Sequence, residues 1–195
     1  MEAATLTGRF VQLLPLAEPH REPLRVAADD ARIWAHTLTD ASGPGFDAWF
    51  DDALAEQAAG RRVPFAVCRL DGGELQGSTS YLDPSPRHRT VEIGSTWYAV
   101  AAWGTTVNPE CKLLLMAHAF ETLGYHRVAF CTDVRNTRSQ AAIEKLGAVK
   151  EGVLRSHRIT QGQRLRDSVV YSIIAAEWPG VKARLQARLD VAEVG

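Results

Sequence analysis

Cysteine is scarce in this 195-residue chain, which has only Cys68, Cys111 and Cys131, none of them in Cys-x-x-Cys spacing. An odd, unpatterned set argues against a disulfide framework and fits buried thiols in a reducing cytoplasm. Six scattered histidines without a neighbouring cysteine pair give no ligand spacing, so no metal is expected. Charge of one sign is lacking too. Twenty-two Lys and Arg face 23 Asp and Glu, a net charge of −1, which gives no electrostatic basis for nucleic acid or an anionic membrane. No apolar run reaches about 18 residues, the length of a membrane span, and the first residues lack a charged-then-apolar signal pattern. The chain has no repeat, low-complexity tract or linker, and its length suits one domain over residues 1–195.

The patterning that is present alternates between two periods. "RFVQLLPL" (9–16) predicts a strand, and residues 18–38 predict a helix, with Leu24, Ala28, Ala31 and Ala35 at helical spacing. After the loop "DASGPG", a second helix is expected from Phe46 to a stop at Gly60. Strands follow at 63–70, 75–82 and 90–99, the first two joined by an Asp-Gly turn. "PECKLLLMAHAFETLG" (109–124) is the clearest helix, with Pro109 in its first turn and Gly124 as its stop. A buried strand (127–133) then leads to a helix capped by Asn136 and ended by Gly147. The segments 149–159 and 165–174 flank "TQGQ" as a last hairpin, and a short amphipathic helix carries Val181, Leu185 and Leu189. The order predicts an α+β, or mixed α/β, layer with a largely antiparallel sheet. Strands 90–99 and 127–133 should be parallel, joined by a right-handed crossover.

Several side chains stand out for chemistry. Glu92 lies inside a strand, where a carboxylate is costly without work or a partner. Alternation puts Val91, Ile93 and Trp97 on one face and Glu92, Gly94 and Thr96 on the other. Ser139 is in register with Ala142, Ile143 and Leu146, so its hydroxyl should face the sheet. Plain readings stand beside these: a solvated strand Glu, and a Ser that bonds its own first turn. Cys111 reads as inert. Arg87, His88 and Arg89, and Arg155, Arg158, Arg164 and Arg166, read as solvated charge.

The ordered set "VEIG", the loop before Glu110 with its apolar helix, "NTRS" and "EKLG" between Thr90 and Gly147 resembles the GNAT acetyltransferase superfamily. The similarity is greater to the branch with bacterial ribosomal-protein N-acetyltransferases, and the outer segments follow it. The resemblance implies a GNAT-like, mostly antiparallel sheet with one splayed parallel strand pair flanked by helices. It implies acetyl-CoA as co-substrate and an amine acceptor, either a protein N-terminus or a small molecule, in a monomer or homodimer. Glu92 would be the general base and Ser139 the partner of the leaving thiolate, since Ile143 stands where many relatives have an acidic Tyr. Asn136 and the backbone at Trp97 and Ala99 would meet the pantetheine arm, with Trp97, Tyr98 and Trp103 walling the cleft.

The family's pyrophosphate loop, Q/R-x-x-G-x-G/A, aligns with Trp103, Gly104, Thr105, Thr106, Val107 and Asn108, and departs at all three signature positions. Backbone amides and the helix dipole still suit a phosphate whatever the residue type. A Thr106 forced to positive φ would cost about 1–2 kcal/mol, so weakened CoA binding is the expectation. Two functions stay open on the sequence: an active N-acetyltransferase working through a ternary complex, and a weak or inactive CoA-binding relative with a regulatory or ligand-binding role.

Overall fold

The computed structural model describes residues 4–194. Its centre is an eight-stranded sheet in the order β1-β2-β3-β4-β5-β6-β8-β7. In chain order these strands are β1 (Leu6–Thr7), β2 (Val11–Pro15), β3 (Arg62–Arg69), β4 (Leu75–Ser85) and β5 (Thr90–Tyr98), then β6 (Arg127–Asp133), β7 (Val149–Ile159) and β8 (Leu165–Ile174). All neighbours are antiparallel except β5 and β6, the pair expected to be parallel. The two-residue β1 was not expected; it is too short to leave a periodic trace.

Helices cover both faces, because the strands carry apolar side chains on both. On one face lie α1 (Arg21–Ala28), α2 (Ala31–Trp34) and α3 (Phe46–Ala58). They enclose an aromatic core of Trp34, Phe46, Trp49, Phe50 and Trp97, with Trp97 5.3 Å from Trp34 and 5.4 Å from Trp49 between ring centroids. The single helix expected over 18–38 is interrupted at Asp29 and Asp30. Asp30 leaves helical geometry and its side chain caps α2 by accepting from the Arg32 amide, a local bond that competes with helix continuation.

On the other face lie α4 (Val107–Ala117), α5 (Thr137–Leu146) and α6 (Trp178–Val194), packed on Val91, Ile93, Val128, Phe130, Val169 and Tyr171. α4 starts two residues before Pro109 and passes into a π-turn at His118–Thr122 before Gly124, which takes φ 64°. α5 keeps both expected caps. The Asn136 side chain accepts from the Ser139 amide at 2.9 Å, and Gly147 is left-handed at φ 92°. One buried carboxylate ties α4 to the start of the sheet. Glu110 accepts the amides of Arg9, Phe10 and Val11, each at 2.7 Å, and a Cβ at Gly8 would collide with it.

Candidate active site

β5 and β6 pair only at Thr90–Arg127, Val91–Val128 and Glu92–Ala129. Beyond Glu92 the two strands part, and a cleft of about 400 Å³ passes through the sheet between them. Glu92, Trp97 and Cys131 line it on the α2–α3 side. Thr96, Asn108, Lys112, Ser139 and Ile143 line it on the α4–α5 side.

A bulge in β5 decides which side chain faces which way. Ser80 pairs with Gly94 and Ser78 with Trp97, so Ser95 and Thr96 together oppose Thr79 alone, and Ser95 takes φ 44°. The extra residue reverses the alternation. Val91 and Ile93 face α4, but so do Thr96 and Tyr98, whereas Trp97 turns to the aromatic core with Glu92 and Gly94. The uninterrupted alternation expected from the sequence is therefore wrong beyond Gly94.

The bulge also changes which backbone groups reach the cleft. Ala99 donates its amide to Gln76 O at 2.8 Å, and Trp97 lies opposite Ser78 in the same register. Both residues thus commit their backbone to β4, contrary to the free groups expected there. Tyr98 is the residue that turns its backbone to the opening, where its carbonyl accepts from Trp103 Nε1 at 2.9 Å.

The loop before α4 is built on side chain to backbone bonds. Thr105 Oγ1 donates to Ala102 O at 2.7 Å and accepts from the Val107 amide at 3.3 Å. Gly104 takes the left-handed turn at φ 78°, while Thr106 sits at φ −69° and ψ −17°, ordinary helical values. The strain anticipated for a threonine at that position is absent, because the turn uses its positive φ two residues earlier. Among the described residues the amides of Gly104, Thr106 and Asn108 make no hydrogen bond. Arg138, from the first turn of α5, stacks its guanidinium 3.7 Å above the Trp103 ring and lines the same end of the cleft. The Ser139 hydroxyl faces the cleft without a hydrogen bond to a described residue, and the Asn136 carboxamide oxygen is already taken by its capping bond.

The profile of the acetyltransferase (GNAT) domain matches residues 11–149. The chain belongs to the GNAT acetyltransferase family. The "Putative ribosomal N-acetyltransferase YdaF" of Bacillus subtilis (strain 168) is 34% identical over 113 residues, 58% of this chain and 61% of that protein. The chain thus spans about three fifths of the length of the curated relatives it matches. A crystal structure of a "putative acetyltransferase" from T. thermophilus is 41% identical, covers 97% of this GNAT chain and 100% of its own, and superposes with a TM-score of 0.86. The fold alone is shared with Mycobacterium smegmatis RimJ, solved with CoA-disulfide, at 22% identity, 95% and 93% coverage and a TM-score of 0.77.

The charged groups of this GNAT cleft are unevenly satisfied. Burial pushes the Glu92 carboxyl above its usual range; Arg158 pulls it back, Asp83 adds to the rise and Arg166 opposes it. No hydrogen bond holds it to a described residue. Lys112 on α4, unnoticed in the sequence, is 6% exposed, and burial lowers its pKa to about 8. Its Nζ meets only hydroxyls, Thr96 Oγ1 at 3.0 Å and Thr79 Oγ1 at 3.3 Å. Cys111 beside it is fully buried, its thiol pushed up to about 12 by burial, as an inert packing residue would be. Arg158 and Arg166 also reach the cleft; Arg166 is buried, against the expectation of solvated charge, while Arg158 stays exposed as expected. They lie outside the span that the family profile matches.

Proposed function

We propose that this protein transfers the acetyl group of acetyl-CoA to a primary amine by direct attack in a ternary complex. The observation that carries the reading is the passage through the sheet. One mouth offers unbonded amides at a helix N-terminus, and the other offers a half-buried carboxylate with no partner. The first suits a pyrophosphate, since unbonded amides lie in the loop and first turn of α4, beside the positive end of that helix, without glycine at the signature positions. Arg138 adds a cation beside them. The second suits a base, because desolvation brings a carboxyl closer to the pKa useful for proton abstraction near neutrality.

Acetyl-CoA as co-substrate supplies an activated carbonyl. The chain supplies the rest. Glu92 accepts one proton from the acceptor ammonium, directly or through a water. The amine nitrogen then bonds to the carbonyl carbon, the C–S bond breaks, and nitrogen gives up its second proton. The Tyr98 amide, turned to the opening, is the strand donor available to the carbonyl oxygen. The Ser139 hydroxyl, free of protein partners, is available to the departing sulfur, which takes a proton to become the thiol. Ammonium and thioester become amide, thiol and one released proton. The acceptor in this reading is a protein N-terminus or a small-molecule amine.

Calorimetry of the intact protein with CoA, followed by thiol release from acetyl-CoA across a panel of amines, tests the proposal. One CoA site per chain with amine-dependent thiol release is expected. No heat at millimolar CoA would refute the whole reading, and CoA binding without release for any amine would refute transfer.

A further inference from the structure

The α2–α3 side of the cleft carries a row of polar side chains across four adjacent strands. Glu92 of β5 is followed by Cys131 of β6, Arg166 of β8 and Arg158 of β7. Alternation along β8 fixes this face, since Val169, Tyr171 and Ile173 pack toward α4 and α5. Arg166 is 7% exposed, and its Nε is buried without a hydrogen-bond partner. Arg158 lies directly opposite it in the β7–β8 pairing. Neither guanidinium has an ion pair with a described residue. Asp133 and Asp167 are engaged elsewhere, the first by Arg164 and the Arg135 amide and the second by the Ser156 amide, and Glu92 feels both arginines without an ion pair to either. Two like charges opposed across a strand pair destabilise a sheet, and a buried donor without a partner adds a desolvation cost. An anion between them would relieve both.

We propose that the acceptor is a small amine that also carries a carboxylate, with Arg166 and Arg158 binding the carboxylate while the amine meets Glu92. This rests on the acetyl-transfer reading and names its substrate class. The two guanidiniums serve the acceptor rather than CoA phosphates, because they sit on the face opposite the α4 loop, where Lys112 and Arg138 lie. Glu92 makes no ion pair with either Arg; Ser172 is the β8 residue level with it, and Arg166 stands six residues further along β8, toward the end where β5 and β6 have parted, so the cleft leaves room for a substrate between them. A small acceptor is favoured over a folded protein by the β7–β8 turn, which is tied across to the opposite wall. The Gln161 amide donates to Leu38 O at 2.9 Å, and Gln161 Oε1 accepts from the Asp40 amide at 2.6 Å. A polyamine would bring cations against the Arg pair. A bound carboxylate would also offset the hold of Arg158 and Arg166 on Glu92, leaving a stronger base in the ternary complex.

The first test is thiol release from acetyl-CoA by matched amines: free amino acids, their amides, dipeptides with an acidic second residue, and spermidine. The carboxylate form should exceed its amide about 10- to 100-fold in kcat/KM, the worth of charge-assisted hydrogen bonds. The dipeptides show whether the carboxylate is the acceptor's own or comes from a side chain. Arg158→Gln and Arg166→Gln should bring the carboxylate-to-amide ratio toward one. Should the buried Arg166→Gln fail to fold, the exposed Arg158→Gln and the wild-type panel still decide. Amide or polyamine acceptors that outperform the carboxylates would overturn the inference while leaving acetyl transfer standing. A second test needs no turnover: wild-type protein saturated with CoA is titrated with N-acetyl amino acids and with their amides. The carboxylates should bind at least about tenfold tighter. Equal affinity, or no binding of either, would overturn the inference.

Discussion

Replacing Lys112 with methionine should make the protein more stable at neutral pH, and the gain should vanish in alkali. In the folded chain the ammonium is buried against two hydroxyls, and its pKa falls from 10.5 to about 8. That difference corresponds to about 3 kcal/mol against the charged form. Methionine removes this cost, keeps an unbranched side chain in the space, and leaves Thr79 and Thr96 bonded to each other at 2.7 Å. Two hydrogen bonds from Nζ are lost, each worth about 1 kcal/mol, so the net gain at pH 7 should be about 1 kcal/mol. Between pH 8 and 10.5 the unfolded wild type binds more protons than the folded one, so this group's penalty fades as pH rises through that window. Urea unfolding of both proteins at several pH values from 7 to 10.5 reads the gap directly, since every other titrating group is common to both. A gap that does not change with pH, or a methionine variant less stable at pH 7, would refute the electrostatic account of Lys112.

Glu92→Gln should lower amine-dependent turnover by about 10²–10⁴-fold with little change in CoA affinity. A base must be deprotonated and this carboxyl lies above its usual range, so the wild-type rate should fall on the acid side and the variant's profile should lose that limb; an unchanged profile would make Glu92 structural. Ser139→Ala should cost less than about 1 kcal/mol, because Asn136 rather than the hydroxyl caps α5, while slowing acetyl transfer. A thioester with a better leaving group should narrow that loss, and equal slowing on both thioesters would remove Ser139 from the mechanism. Thr106→Gly should not tighten CoA binding, since Thr106 is already unstrained, and should cost about 0.5–1 kcal/mol in denaturant titration; tighter binding would show a strained loop after all.

The elements most legible in the sequence were those with a local chemical signature. Asn136 and Gly147 frame α5 because a cap and a left-handed stop are decided by neighbours in the chain. The parallel β5–β6 pair followed from its crossover. The β5 bulge had no such mark: "VEIGSTWY" alternates as well through Ser95 as around it, and only the pairing with β4 reveals the extra residue. Arg166 carries no local mark of its burial either. Its alternation with Val169 and Tyr171 puts it off the α4 face, but only tertiary packing shows that its own face is enclosed. Lys112 lies inside an apolar helix, where a long amphipathic side chain is expected to reach water. Here it reaches two threonines instead.

The β5 bulge acts as a reading frame for the strand. Its single supernumerary residue lets one continuous strand serve two cores in succession, first presenting odd-numbered side chains to α4 and then even-numbered ones. Loss of Ser95 itself would remove the bulge and restore simple alternation with every face kept, because Thr96 would then follow Gly94 directly and still face α4. Pairing the full-length strand with β4 without the bulge would instead drive the Trp97 indole toward Lys112 and turn Tyr98 to the aromatic side. Residue swaps within this stretch preserve the frame, and so does any length change by two. A change by one shifts the frame everywhere except at the bulge, so β5 should tolerate loss of a residue at Ser95 and resist it elsewhere along its length.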